Sequence, residues 1–318
     1  MRKIIRILIL TGVILLLGVG SASAHNFHAA PDDISQGAQL YDKWFTVLGV
    51  PAPNGNMPIW ERQTTNTRSG PDTWRCSECH GWDYKGSEGI YGTGSHATGF
   101  PNVMKLASGM SESDIVDHLK GSKDPSHDFS KYFSDSDMGK LAKFLKEGTQ
   151  DFSSVINPIT LKAIGGNLEN GKKLFETNCS KCHGTDGKLI VFRSEGVNEY
   201  LGSVANRDPY RFMHRTRYGV SGAKDMPLGR ELGWTSVDST DVLAYTQSLP
   251  TGFENIPVTN AGAGSEKSPN LGGPQGGVLG GILAGLLAIS SRLGMSAFFL
   301  LGLVILGVLI VWALRKQK

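Results

Sequence analysis

Two short strings, Cys76-Ser77-Glu78-Cys79-His80 and Cys179-Ser180-Lys181-Cys182-His183, hold all four cysteines of this 318-residue chain and two of its eight histidines. Two thiols separated by two residues can add to the vinyl groups of a haem as thioethers, and a histidine placed immediately behind them is then presented to the iron as an axial ligand. Three other chemistries use paired cysteines: a zinc site drawing on both pairs, a redox dithiol, and disulfides in an exported chain. None of the three calls for a histidine directly after the second cysteine in both copies. Covalent attachment does, so the sequence predicts two covalently bound haem c groups, held by Cys76 and Cys79 and by Cys179 and Cys182, with His80 and His183 on the irons.

The chain ends bear on where those thiols work. Residues 1–24 open with Arg2, Lys3 and Arg6, continue through an apolar run and close on Ala22-Ser23-Ala24, the pattern of a cleaved export signal. Residues 295–314 are twenty uncharged residues, enough helix to cross a hydrocarbon core. Arg315, Lys316 and Lys318 follow, and such a basic flank favours the cytoplasmic side. The expected location is therefore the cell inner membrane, single-pass, with the bulk of the chain on the periplasmic side. A shorter Gly-rich apolar stretch from Gly277 precedes the span, so 277–314 is read as one apolar membrane segment and 251–276 as a flexible linker. Of 32 Lys+Arg, three lie in the leader and four in or beside the apolar segment, which leaves 25 against 29 Asp+Glu. That mildly acidic balance, with no basic patch, excludes a nucleic-acid partner.

Positioning elements repeat with the cysteine strings. "NGKKLFETNCSKCHG" runs a helix carrying Leu174 and Phe175 into the second string, and "QGAQLYDKWF" offers Leu40 and Tyr41 in the same role for the first. About thirty residues rich in Pro, Gly, Asn and Thr intervene before Cys76, a loop insertion near 50–73. Both copies end on N-cap residues followed by apolar positions at helical spacing, in "SDSDMGKLAKFLKEG" and "SVDSTDVLAYTQSLP". No strand pattern of any length is evident. Domains of this size with long irregular loops bury little core of their own, and a haem would fill it. On these motifs the chain resembles the tandem dihaem c-type cytochromes, each half similar to a class I cytochrome c domain, over about residues 35–147 and 165–250. The resemblance implies an all-α chain: a first haem domain within 25–150, a second at 165–250, and one C-terminal transmembrane helix.

The resemblance also directs attention to the iron's other face. Cytochrome c domains of this kind typically supply a Met there, often in "Met-Pro", shortly before the closing helix. Met226-Pro227 stands in that place in the second half, with Met213 and His214 as competitors. The first half lacks the pair, and His127 occupies nearly the same offset, with Met104, Met110, His96, His118 and Met138 as alternatives. Such domains also orient the ligating histidine by a proline carbonyl. Pro101 can serve His80, whereas no proline lies between His183 and Pro209. Trp74, Trp82, Tyr84 and Tyr91 are expected to wall the first haem, and Arg211 or Arg215 to meet propionates. The insertion is a candidate docking loop.

The expected function is single-electron transfer between redox protein partners in an exported respiratory chain. The alternatives are a dihaem oxidoreductase of peroxidase or thiosulfate dehydrogenase type, and a cytochrome subunit of a larger respiratory complex. An enzyme of the first kind uses an open iron or a cysteine ligand, and here every cysteine is already in an attachment string.

Overall fold

Helix α1, Asp33–Leu48, begins where the Asp32 side chain accepts from the Ser35 N–H at 2.7 Å, and it stops at Gly49, whose φ of 66° closes the last turn. Tyr41 and Trp44 lie fully buried on its inner face. At Lys43 the backbone leaves helical geometry (φ −157°, ψ 76°). The computed structural model to which this helix belongs describes residues 31–194 and 197–251. The expected leader (1–24), the linker beyond Thr251 and the apolar segment 277–314 with its helix 295–314 lie outside the described residues. Among the described residues no helix is long and apolar enough to cross a membrane.

After the insertion come α2 (Cys76–His80), α3 (Val103–Ser108), α4 (Glu112–Leu119) and α5 (Asp135–Lys143), the last extended by a wider π-type turn, Phe144–Gly148. The second half runs α6 (Leu168–Asn178), α7 (Ser180–His183), α8 (Leu201–Arg207), α9 (Pro209–Tyr218) and α10 (Ser236–Gln247). Ser134 caps α5 through the Asp137 N–H, and Thr235 with Asp238 forms a reciprocal capping box on α10.

Each half crosses its first helix on its closing helix at a glycine. A Cβ on Gly37 of α1 would fall 2.1 Å from the Lys140 carbonyl oxygen, and one on Gly171 of α6 would fall 2.0 Å from that of Asp241. Only a residue without a side chain lets the two backbones approach so closely. Four residues further along, Tyr41 meets Phe144 with centroids 5.7 Å apart, and Phe175 meets Tyr245 at 5.4 Å. The two crossings therefore match residue for residue, with Gly37, Tyr41, Lys140 and Phe144 in one half and Gly171, Phe175, Asp241 and Tyr245 in the other.

Three features depart from the sequence expectation. A two-stranded antiparallel hairpin, β1 (Phe192–Ser194) with β2 (Val197–Glu199), interrupts the otherwise helical second half. The insertion is largely built into the first half: Met57, Ile59 and Trp60 are buried, and the Trp74 indole N–H donates to the Gly55 carbonyl at 3.1 Å. Much of it is packed structure, which leaves less of it free as a docking loop than its composition suggests.

The third departure concerns the halves themselves, which share one core. Helix α9 lies against α1, and His214 is completely buried, its Nδ1 2.8 Å from the Tyr84 hydroxyl and its Nε2 3.1 Å from the Ala38 carbonyl. Beside it the Asp42 carboxylate receives Arg75 at 2.8 Å and Arg215 at 2.9 and 3.0 Å. The kink at Lys43 matters here, because the Asp42 carbonyl accepts from Arg75 Nε at 2.8 Å. Both guanidinium groups lie over the Trp82 ring, Arg75 at 5.9 Å and Arg215 at 5.3 Å. Tyr218 donates to the Gly148 carbonyl, and Gln39 donates to the Tyr218 carbonyl at 2.7 Å.

Candidate haem sites

The backbone around the two cysteine strings repeats closely. Gly81 and Gly184, next after the histidines, have φ/ψ of 76°/162° and 78°/159°. Three residues on, Tyr84 (φ 63°) and Gly187 (φ 72°) both enter the left-handed region. Asp83 and Asp186 each accept from the N–H two residues later, at 3.2 and 3.1 Å. Gly187 reaches that conformation freely, whereas for Tyr84 it costs on the order of 1 kcal/mol. The hydrogen bond from Tyr84 to His214 and burial of the ring offset that cost.

All four cysteines are free thiols, and among the described residues no three His, Cys, Asp or Glu side chains gather as a metal cluster. The two pairs are thus not assembled as a four-thiolate zinc site. Burial pushes the Cys76 and Cys179 thiols up to about 12, far from the lowered values of reactive redox dithiols.

In the first half the His80 Nδ1 lies 2.9 Å from the Pro101 carbonyl oxygen. A proton held on Nδ1 by that carbonyl leaves the Nε2 lone pair for a metal. The ring facing it is His127, with centroids 6.4 Å apart and planes at 78°. Two metal–nitrogen bonds of about 2 Å, plus roughly 1 Å from each nitrogen to its ring centre, require about 6 Å between centroids. The spacing therefore fits one iron held between both imidazoles. Burial, opposed by the Pro101 contact and aided by the neighbouring His127, pushes His80 down to about 4, so it stands neutral. Burial likewise lowers His127.

The second half is built differently. His183 Nδ1 is buried without a hydrogen-bond partner. Its ring instead stacks on Phe192, centroids 5.9 Å apart and planes at 28°. Phe192 is a site residue the sequence did not single out, since nothing in the apolar run Leu189–Phe192 distinguishes it. Cys182, Leu189 and Val191 are exposed around the string, an apolar bed of the kind a haem would cover. Met226 lies half-buried in the loop before α10, its N–H on the Ala223 carbonyl at 3.1 Å.

Several competing assignments fall elsewhere. His214 belongs to the shared core described above. Met138 and Met213 are buried in that core, and Met104 and Met110 pack partly buried against it. His96 Nδ1 lies 2.8 Å from an Arg68 nitrogen, and its ring stacks on Tyr91. His118 is half-buried, its carbonyl oxygen 3.4 Å from His127 Nδ1. The arginines expected at propionates have protein partners instead: Arg211 pairs with buried Glu199 at 3.2 Å, and Arg215 with Asp42. Trp82 and Tyr84 line the joint between the halves, and Trp74 packs on Phe129 and Tyr132.

Residues 168–250 match the cytochrome c family and form a cytochrome c domain, the class that holds haem c covalently and moves single electrons. That match begins with α6 and ends just past α10, spanning the second glycine crossing and the second cysteine string. More widely, the chain is 24% identical over 155 residues to the gluconate 2-dehydrogenase cytochrome c subunit of Pantoea cypripedii. It is 27% identical over 123 residues to the thiosulfate dehydrogenase of Psychrobacter arcticus. These matches cover 45% and 36% of this chain but only 31% and 37% of the respective relatives.

Proposed function

We propose that the chain is a dihaem c-type cytochrome, exported and tethered to the inner membrane by residues 295–314, that passes single electrons between redox protein partners. The spacing of His80 and His127, ring centroids 6.4 Å apart, carries this reading, because it is compatible with one iron between them in the half that the family match does not reach. The repeated helix crossing and the repeated backbone after each cysteine string support the same view of the first half. Cys76 and Cys79 hold the first haem, with His80 and His127 as axial ligands. Cys179 and Cys182 hold the second, with His183 and Met226. When bound, haem c supplies a reversible one-electron couple at its iron. The chain's own residues fix the ligand set, exclude water with the shared aromatic core, and separate the potentials. Thioether sulfur favours the reduced iron and paired imidazoles the oxidised, so the second site is the one of higher potential.

A redox titration with near-infrared spectra tests this. Two steps are expected, with a sulfur-to-iron charge-transfer band lost in Met226→Ala and retained in His127→Ala. One haem per chain in denaturing gels stained for haem would refute the dihaem assignment.

The relative named as a dehydrogenase cytochrome subunit favours a second reading, in which the acceptor or donor is a permanent partner within a larger complex. Copurification of a dehydrogenase with the chain from detergent-solubilised membranes would establish it. Turnover of peroxide or thiosulfate by the isolated chain would instead favour an enzyme.

A further inference from the structure

We propose that Arg62, in the insertion that only the first half carries, is a positioning residue that holds His127 at its place on the first iron. The inference rests on the reading of His127 as an axial ligand. His127 ends a short 3-10 turn, Pro125–His127, closed by its own N–H on the Asp124 carbonyl at 2.9 Å. The Asp124 carboxylate caps the turn, accepting from the Ser126 N–H at 3.0 Å and the Ser126 hydroxyl at 2.7 Å. Arg62 grips the same group as a fork: both terminal nitrogens donate to Asp124, one of them at 2.9 Å, and that one also donates to the Ser126 hydroxyl at 2.8 Å.

The other side of the turn is fixed independently. The Phe129 N–H donates to the Leu119 carbonyl at 2.9 Å, and the Phe129 ring is buried against Trp44, Trp74 and Phe133. His127 is thus suspended between a core anchor and the Arg62 fork. Its ring meets the edge of Phe129 at 5.2 Å, but its polar hold is weak: Nδ1 is 3.4 Å from the His118 carbonyl, whereas His80 has a 2.9 Å contact. A short imidazole on a turn depends on its backbone for placement, whereas a methionine with three rotatable bonds can reach its metal from a looser loop. That difference gives the insertion a role that the Met226 loop does not need. Arg62 can fill it because its root is rigid: Trp60 is buried two residues away, and its indole N–H donates to the Arg68 carbonyl at 3.1 Å.

The Arg62 head is more than half exposed, so the pair adds little to global stability. Its expected effect is local. In full-length holoprotein, cyanide binding to the oxidised first haem reports how readily His127 leaves. Arg62→Ala should bind cyanide roughly three- to fivefold more tightly than wild type. Arg62→Lys should recover part of the difference, and the sulfur-to-iron band of the second haem should not change. Ser126→Ala, which removes the hydroxyl's bond to Asp124 and its bond from Arg62 but leaves the direct Arg62–Asp124 pair and the core anchor intact, should move the affinity in the same direction by less. His127→Ala separates the two levels of the argument. If it leaves the first haem low-spin, the ligand assignment fails and the Arg62 role with it. If it opens the first haem while Arg62→Ala and Ser126→Ala both bind cyanide as wild type does, the positioning role alone is overturned.

Discussion

Asp42→Asn tests the joint between the halves. The Asp42 carboxylate is inaccessible to solvent and accepts three hydrogen bonds from two guanidinium groups, one from Arg75 and two from Arg215, while the Asp42 backbone carbonyl accepts a fourth from Arg75 Nε. Burial alone would raise its pKa, yet Arg215 and then Arg75 hold it far below the usual carboxylate range. Asparagine keeps the shape, removes the charge, and turns an N–H donor toward a guanidinium. Breaking a buried ion pair by removing one partner costs about 3–5 kcal/mol. For a folded unit of roughly 220 residues, each kcal/mol shifts the melting midpoint by about 2–4 °C, so a drop on the order of 10 °C is expected. Far-ultraviolet circular dichroism of the holoprotein reads it. A cycle with Arg215→Met should show the two changes to be non-additive by on the order of 1 kcal/mol, as for side chains in direct contact. A midpoint within about 2 °C of wild type for Asp42→Asn would mean that the halves are held by their packing and their other hydrogen bonds and that the ion network is incidental.

Three further outcomes follow from other parts of the fold. Burial pushes His214 down to about 4, so between pH 6.5 and 4 the unfolded chain takes up a proton there that the folded chain refuses. Stability should therefore fall as pH drops through that window, by up to about 3 kcal/mol, and His214→Gln should flatten the slope seen in denaturant titrations at stepped pH. Gly171→Ala and Gly37→Ala should each lower the midpoint and haem content, since the new Cβ meets a backbone carbonyl near 2 Å, at a cost of at least about 1–3 kcal/mol. Gly139→Ala, on α5 with nothing near its Cβ position, should instead stabilise by roughly 0.5–1 kcal/mol.

What the sequence discloses is local. Ser134 and Thr235 mark the closing helices because a side-chain oxygen three residues before a free N–H is a short-range signal. Pro101 stands out beside His80 through the family resemblance, and its carbonyl is the one His80 meets. The hairpin 192–199 is too short to imprint an alternating pattern, so Phe192 stays hidden behind Leu189 and Val191. Helix α9 misleads for a different reason. "PYRFMHRTRY" offers Met213 and His214 as ligand candidates and its arginines as propionate partners, whereas His214 is buried and Arg215 half-buried against Tyr84 and Asp42, more than a hundred residues earlier. The Lys43 kink is likewise invisible, since nothing in "YDKWF" announces that the Asp42 carbonyl will be needed by Arg75. Arg62 is lost in a loop whose composition signals only irregularity, whereas its importance comes from what it reaches in space.

The weld between α1 and α9 has a meaning for descent as well as for folding. Repeated domains joined by a free linker can be shuffled, fused to new neighbours or lost one at a time, because each keeps its own counter-ions and its own core. Here a gene cut at residue 150 would encode a first half whose Asp42 lacks Arg215 and whose Tyr84 keeps its left-handed backbone without the His214 bond that offsets it. The two copies must therefore be inherited together. The same joint fixes the span between the two cysteine strings, so electrons passing between haems held there would need no encounter and would be indifferent to how many copies the cell makes.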